Sequence, residues 1–103
     1  MAENVRIDKW LFAVRLYKTR SQASEECRKG KVTISGMPVK PSREIKIGET
    51  IQIRRPPISR SYKVLALTEN RMAAKLVPEF VLEITPASEL EILEMQKNMS
   101  FFN

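Results

Sequence analysis

The side chains that most often carry out catalysis are scarce in this chain of 103 residues. Histidine, the commonest acid–base catalyst near neutral pH and the commonest metal ligand, is absent. Asp8 is the only aspartate, and its position before a helical pattern is typical of a helix cap rather than a general base. The single cysteine, Cys27, has no histidine to activate it, so we expect a small buried residue there. These residues predict a protein that is not an enzyme and that binds no metal or cofactor.

Lysine and arginine are the residue types with a clear chemical use. Their 18 positive charges exceed the 12 carboxylates and give a formal net charge of +6. Residues 1–63 hold 15 basic and 6 acidic side chains, whereas residues 64–103 hold 3 basic and 6 acidic ones. Solubility does not require the basic and acidic residues to be separated along the chain. Their separation instead suggests a basic surface that binds a polyanion. The first part is therefore predicted to bind nucleic acid, and a solvated basic face without a partner is the alternative.

Nucleic-acid binding needs donors spread over a surface, because each phosphate must be met at its own position along the backbone. The basic candidates lie in two predicted helices and in the small sheet that follows them. Ser21 and Gln22 join them because, at the start of a helix, their side chains could donate to a phosphate. The predicted contact residues are Arg6, Lys9, Arg15, Lys18, Arg20, Ser21, Gln22, Lys29, Lys31, Lys40 and Arg43.

The first of these helices is predicted to start directly after Asp8, which we expect to cap it. Trp10, Val14 and Tyr17 recur at the spacing of one helical face, so that face should be buried and the opposite face basic. The two aromatic residues have an alternative use, as platforms on which bases stack. Their spacing favours packing in the core.

A second helix is predicted to begin at Thr19 and to run through Lys29. Thr19 and Gln22, three positions apart, have the form of a capping box, with Ser21 as the alternative cap. The helix contains only two small apolar residues, four positions apart, which predicts close packing against the first helix. Gly30 is expected to end it, because glycine readily takes the positive φ of that position.

The period of the apolar pattern changes from 3.6 to 2 after the second helix, which indicates a small antiparallel sheet. Residues 32–34 and 37–39 should form a hairpin around Ser35-Gly36. Pro38 has no backbone N–H, which predicts that its strand lies at an edge. The arginines and prolines at 54–57 should stop a later strand. The further predicted strands cover residues 45–47, 51–53 and 62–67.

The remaining residues, 69–103, are expected to form a C-terminal helical extension that packs on, or trails from, a first domain of residues 1–68. A short helical turn or loop is predicted at residues 72–77. Pro78 suits the first position of a helix, which indicates a helical segment at residues 79–84.

A last helix is predicted to start with Thr85 as its cap and Pro86 in its first turn. It carries several glutamates together with leucine, isoleucine and methionine. Phe101 and Phe102 follow it, and they are either docked on the protein or frayed.

An ordered series of short motifs resembles the S4-type RNA-binding domain over roughly residues 5–54. No single motif is specific, so the resemblance depends on their order. The motifs are Arg6-Ile7-Asp8-Lys9-Trp10-Leu11, Arg15, Lys18-Thr19-Arg20-Ser21-Gln22-Ala23, Lys29-Gly30-Lys31-Val32, Ser35-Gly36, Val39-Lys40-Pro41-Ser42 and Ile47-Gly48.

This resemblance implies an α+β fold, in which two N-terminal helices form an RNA-binding motif packed on a small antiparallel sheet, with a C-terminal helix. Such domains often accompany a catalytic domain, but only about 49 residues follow the motifs here, too few for one. The short chain is similar to the ribosome-associated 15-kDa heat-shock protein family. Members with a long basic C-terminal extension differ from this chain, whose C-terminal part is acidic.

The family resemblance implies binding to structured ribosomal RNA of the large subunit and a role in recycling stalled subunits that carry nascent chain-tRNA. A structured tRNA or mRNA is the alternative target, and DNA is a further polyanion that a basic surface accepts. Two other classes stay open: an adaptor that binds protein through the acidic C-terminal helix, and a binder of anionic membrane surfaces. Without an apolar run long enough for a membrane span, we expect a cytoplasmic protein. We also expect it to be a monomer.

Overall fold

The computed structural model of the chain describes the backbone of residues 4–101 and the side chains of residues 4–97. It contains three α-helices, seven strands and one 3₁₀-helix within these residues. In chain order they are β1 (Val5–Arg6), α1 (Ile7–Ala13), α2 (Arg20–Arg28), β2 (Val32–Ile34), β3 (Met37–Pro38), β4 (Glu44–Ile45), β5 (Thr50–Arg55), β6 (Ile58–Val64), the 3₁₀-helix (Ala74–Glu79), β7 (Val81–Glu83) and α3 (Ala87–Phe101).

Five strands form one antiparallel sheet in the order β3-β2-β5-β6-β7. The two short strands β1 and β4 pair with each other beside it. Pro38 lies in β3 at the edge of the sheet, where a missing N–H disrupts no ladder, as the sequence predicted. The mixed fold of two N-terminal helices, antiparallel sheet and C-terminal helix is confirmed.

The apolar face of α1 packs into the core. Trp10, Val14 and Tyr17 are 0%, 1% and 5% exposed, so their predicted burial is confirmed and base stacking on these rings is excluded. The indole Nε1 of Trp10 donates to the carbonyl of Ala66 at 2.9 Å, which satisfies its polar group inside the core. The helix ends at Ala13, so it is shorter than the pattern suggested, and Val14 and Tyr17 lie just after it.

The prediction that Asp8 occupies the cap position of α1 is wrong, although its carboxylate does accept from a first-turn N–H, that of Lys9, at 2.8 Å. Asp8 lies inside the helix, and Arg6 occupies the cap position without a side-chain hydrogen bond. The N–H groups of Ile7 and Asp8 instead donate to the carbonyls of Arg43 (2.8 Å) and Pro41 (3.3 Å). The loop before β4 therefore supplies the acceptors that a capping side chain would otherwise provide.

Local signals predicted α2 correctly. The Thr19 hydroxyl accepts from the N–H of Gln22 at 3.0 Å, while the Gln22 side chain accepts from the N–H of Lys18 rather than that of Thr19. Gly30 follows the helix with a φ of +76°. The N–H groups of Gly30 and Lys31 donate to the carbonyls of Cys27 and Glu26 in the last turn. The two small residues of the stripe, Ala23 and Cys27, are buried.

The strands differ from the predictions at their ends. As predicted, a strand stops within residues 54–57, but β5 includes both arginines and ends at Arg55, and the two prolines form the turn into β6. The strand predicted at residues 62–67 therefore starts earlier, at Ile58, and ends at Val64. Ile47 is outside any strand and is 65% exposed.

The C-terminal part also differs from the predictions. The helical segment expected at residues 79–84 is wrong, since Pro78 lies inside the 3₁₀-helix and β7 follows. Val81 of β7 is buried opposite Val64 of β6, so pairing with the sheet overrides the local helical signal. The division of the chain at residue 68 stays a prediction.

The last helix begins at Ala87. The side chain of Thr85, which was predicted to cap this helix, bonds to strand residues instead. Its hydroxyl accepts from the N–H of Ser61 at 3.0 Å and donates to the Glu83 carboxylate at 2.7 Å. The carboxylate of Glu89 accepts from the N–H of Ser59 at 3.0 Å, which fastens the start of α3 to β6. Phe102 and the side chain of Phe101 lie outside the described residues. None of the helices within the described part of the chain is long and apolar enough to cross a membrane.

Candidate nucleic-acid interface

One buried carboxylate joins the two N-terminal helices. Asp8 is 1% exposed, and it accepts two hydrogen bonds from Arg6 (3.1 and 3.0 Å), one from the Ser24 hydroxyl (2.9 Å) and one from the backbone N–H of Lys9 (2.8 Å). The Nε atom of Arg20 lies 3.7 Å from the same carboxylate. We call Asp8, Arg6, Arg20 and Ser24 the Asp8 cluster. The cluster holds two predicted contact residues, Arg6 of β1 and Arg20 of α2, on one surface.

The Asp8 carboxylate is charged at neutral pH. Burial alone would raise the pKa of Asp8, but the hydrogen bonds from Arg6 and Ser24 and the charges of Arg6 and Arg20 outweigh burial and lower it below its ordinary value of 3.8. The cluster therefore contains one negative charge and two positive ones. Its residues line a shallow surface groove, which Ser21 and Arg28 also line. Glu25, which also lines it, lies 3.7 Å from Arg28.

The first turn of α2 is exposed beside this groove. Arg20, Ser21 and Gln22 are all accessible to solvent, as is Lys18 just before the helix. The positive end of the helix dipole adds to these charges and favours an anion at this position. The structure thus brings Lys18, Arg20, Ser21 and Gln22 together, as the predicted site requires.

A cleft on the other side of this turn collects a second group of donors. Its lining includes Arg15, Tyr17, Lys18, Gln22, Glu26 and Arg55, and we call it the Tyr17 cleft. Arg15 has a φ of +66° and donates to the carbonyl of Met72 at 3.2 Å. Burial raises the pKa of Tyr17 to about 12, with a smaller rise from the charge of Glu26, and outweighs the lowering by Arg55, so the hydroxyl remains a donor.

The other predicted contact residues lie farther along the surface, and several have a carboxylate partner. Lys9 lies 3.9 Å from Glu69, and Lys31 lies 3.8 Å from Glu26. Arg43 makes a two-pronged contact with Glu49, at 2.9 and 3.3 Å. The Arg43 hydrogen bond is the main cause of a lowered pKa of Glu49.

Lys29 and Lys40 are exposed, Lys29 after α2 and Lys40 before β4. Lys40 and Arg43 line a separate depression beside β3, so the structure does not bring them into the groove or the cleft. Contacts by all of the predicted residues stay predictions.

Sequence reasoning missed Arg55. The residue was interpreted only as part of a segment that stops a strand. It does end β5, but its side chain also reaches the connection between α1 and α2. Its guanidinium donates to the carbonyl of Leu16 at 2.6 Å and lies over the ring of Tyr17, 4.9 Å from the centroid. The sequence signal was the Arg54-Arg55 pair, but only the fold shows which arginine faces the helices.

The residues weighed for catalysis have structural roles. Burial, ahead of nearby charges, raises the pKa of Cys27 to about 11, so its thiol stays protonated and is a poor nucleophile. Asp8 belongs to the ion-pair cluster between the helices. Among the residues that the structure describes, no three acidic or cysteine side chains group as a metal site.

A family model described as the S4 domain matches residues 5–51. Heat shock protein 15 homolog of Aeromonas salmonicida is 39% identical over 84 residues, which are 82% of this chain and 63% of that protein. Heat shock protein 15 of Escherichia coli is 42% identical over 73 residues, which are 71% of this chain and 55% of that protein. The chain thus spans less than two thirds of the length of these relatives.

Two further comparisons cover more of the similar protein. The RQC P-site tRNA stabilizing factor of Listeria innocua is 37% identical over 70 residues, which are 68% of this chain and 76% of that protein. A solved structure, described as trimeric heat shock protein 15 of Vibrio cholerae, superposes with a TM-score of 0.81 at 33% identity and covers 98% of this chain and 100% of that one. With an S4 domain around the Asp8 cluster and relatives of this identity and coverage, the chain belongs to the family of S4-domain proteins that includes heat shock protein 15 and the RQC P-site tRNA stabilizing factors.

Proposed function

We propose that this protein is a non-enzymatic RNA-binding protein that recognises structured ribosomal RNA of the large subunit. The observation that carries the proposal is the exposed first turn of α2, where Lys18, Arg20, Ser21 and Gln22 lie together between the Asp8 cluster and the Tyr17 cleft. The S4-domain match over the same residues supports it.

The mechanism of binding is electrostatic contact with phosphates of a folded RNA. The A-form major groove is too narrow for side chains to read bases, so contacts with backbone and shape set the preference. Arginines held by Asp8 keep their positions before RNA arrives, which reduces the side-chain entropy lost on binding. Ser21 and Gln22 add hydrogen-bond donors to the charges of Lys18 and Arg20.

The names of the relatives support a more specific role. Proteins called RQC P-site tRNA stabilizing factor share 37% identity with this chain, so we include a tRNA on the ribosome among the proposed partners. The proposed substrate is a stalled large subunit that carries nascent chain-tRNA, and the proposed location is the cytoplasm. An isolated tRNA or mRNA is the alternative target.

Crosslinking in cells followed by RNA sequencing tests the target. Enrichment of large-subunit ribosomal RNA, with tRNA recovered from the same complexes, is the expected result. Enrichment of a single messenger, or of tRNA without ribosomal RNA, would exclude the proposed target. Equal affinity of the purified protein for duplex DNA, anionic vesicles and RNA would reduce the function to general polyanion binding.

A protein contact through α3 is the second candidate function. Leu90, Ile92 and Met95 of this helix are 40%, 37% and 62% exposed, beside the acidic Glu91 and Glu94. Apolar side chains on several sides of a helix are typical of a segment that packs against another protein. A chain truncated after Glu89, which retains the side chain that accepts from Ser59 in the full protein, should then lose a cellular partner while it retains RNA binding.

The proposed oligomeric state is a monomer. The heat shock protein 15 of Vibrio cholerae is described as trimeric in its solved structure, and the exposed apolar residues of α3 are the surface through which copies of this chain would associate. Light scattering at several concentrations distinguishes the two states. A mass of three chains would contradict the proposed monomer. Its fall to the mass of one chain after truncation at Glu89 would show that α3 holds the copies together.

A further inference from the structure

The Tyr17 cleft lies outside the Asp8 cluster and joins two distant parts of the chain. One wall is the connection between α1 and α2, and the other is Arg55 at the end of β5. The cleft therefore depends on the sheet as well as on the two helices. Its lining contains three basic side chains, those of Arg15, Lys18 and Arg55, and one carboxylate, that of Glu26.

Arg55 is held in place by neutral groups. One of its N–H groups donates to the Leu16 carbonyl at 2.6 Å, and its guanidinium rests on the Tyr17 ring. No carboxylate lies within 4.0 Å of its nitrogen atoms among the side chains of residues 4–97. A guanidinium has several donors in a rigid fork, and most of them are left for another acceptor. Arg55 is therefore positioned and still carries a full positive charge.

The rest of the cleft is complementary to an anion. In the described part of the chain, neither Arg15 nor Lys18 forms an ion pair. The Glu26 carboxylate lies 3.8 Å from Lys31, so its charge is partly offset. Tyr17 is 5% exposed, and no described residue meets its hydroxyl in hydrogen-bonding geometry, although Arg55 lies near enough to lower the pKa of Tyr17. A buried hydroxyl without a partner costs free energy, which an acceptor bound in the cleft would recover.

We propose that the Tyr17 cleft binds one phosphate of the RNA backbone, with Arg55 as its main ligand and Lys18 beside it. This inference rests on the proposed RNA binding and extends the contact surface from the helices to the end of β5. A phosphate fits because a guanidinium can donate two parallel hydrogen bonds to it, and the basic side chains of Arg15 and Lys18 line the same cleft. A solely structural Arg55, tying β5 to the helix connection, is the competing role.

Arg54 provides a matched control for the test. It is adjacent to Arg55 and exposed, but as neighbours in a strand the two side chains point to opposite faces, and Arg54 approaches Ser59 instead. The variants Arg55→Gln and Arg54→Gln remove the same charge, so their effects on long-range attraction are equal. Any difference in affinity between them measures the local contact.

The measurement is binding of purified large-subunit ribosomal RNA over a range of salt concentrations. Arg55→Gln should bind at least about tenfold more weakly than Arg54→Gln, as expected for loss of a charged hydrogen bond. Its slope of log affinity against log salt should be smaller than that of Arg54→Gln by about one. Arg55→Lys keeps the charge but loses the fork of donors, so it should keep the slope yet bind several-fold more weakly than the unchanged protein; it serves if Arg55→Gln does not fold, and equal affinity would contradict the inference.

Two results separate this inference from the proposed function. If the unchanged protein does not bind the RNA, the proposed function itself is wrong. If it binds and Arg55→Gln matches Arg54→Gln in affinity and slope, the cleft is not a phosphate site. If Arg55→Gln is less stable than Arg54→Gln but has the same salt slope, Arg55 has only a structural role. That result would also overturn the inference.

Discussion

Asp8 on α1 accepts a hydrogen bond from the Ser24 hydroxyl on α2 at 2.9 Å, inside a surface that is otherwise rich in arginine. The same carboxylate orients Arg6 and lies beside Arg20. A residue expected as a helix cap thus joins the two helices and positions the side chains that should meet RNA. Fold stability and RNA binding are consequently coupled at Asp8.

Asp8→Asn should lower the free energy of unfolding by about 1–3 kcal/mol, because the buried hydrogen bonds from charged and hydroxyl donors are weakened. Urea unfolding followed by circular dichroism measures the change. Glu91→Gln on the exposed side of α3 is the control and should be nearly neutral. Equal stability of the two variants would contradict the role of Asp8.

The acid dependence of stability should also change in Asp8→Asn. Folding lowers the pKa of Asp8, so the charged carboxylate stabilises the protein above about pH 4, and this stabilisation is lost as the pH falls through the lower pKa of the folded state. Below about pH 4 the stability of the unchanged protein should therefore fall more steeply than that of Asp8→Asn. Glu49, whose pKa is also lowered, leaves part of the slope in both proteins. Parallel curves would disprove the assignment to Asp8.

Arg20→Gln should weaken RNA binding by about three- to tenfold and reduce the salt slope by about one, because one phosphate contact is lost. Glutamine is preferable to glutamate here, since Arg20 lies beside the buried Asp8 and a second carboxylate there would disturb the fold. Lys97→Gln on α3 removes the same charge outside the interface and serves as the control. Thermal unfolding should remain cooperative in both. If the two variants bind alike, Arg20 is not a contact residue.

Removal of the residues after Glu89 should leave RNA affinity within about twofold of that of the full chain, because exposed charges away from a contact contribute little. The truncated part carries Glu91 and Glu94, so any change should be a slight gain. Filter binding at moderate salt measures it. A large loss of affinity would make α3 part of the RNA-binding surface.

Features set by neighbouring residues were predictable from the sequence. The capping of α2 by Thr19 and its end at Gly30 depend on groups a few positions apart, and both agree with the structure. The burial of Trp10 follows from the helical period in the same way. Such patterns, in the order of an S4 domain, were enough to indicate the helix pair.

Features that depend on partners distant in the chain were not predictable. Asp8 is not the cap residue because carbonyls more than thirty positions away accept from the first two N–H groups of α1, which leaves the Asp8 carboxylate only the N–H of Lys9. Val81 is in a strand because β6 lies beside it, and local propensity could not reveal that neighbour. Arg55 reaches Leu16 through the same long-range packing, so the Tyr17 cleft required the structure.

The salt dependence of RNA binding tests the central claim, that basic residues around the first turn of α2 bind structured RNA through its phosphates. Affinity of the purified protein for large-subunit ribosomal RNA should be measured from low to moderate salt. With about four phosphates neutralised, log affinity should fall against log salt with a slope of roughly −3. A slope near zero would contradict electrostatic binding through these residues.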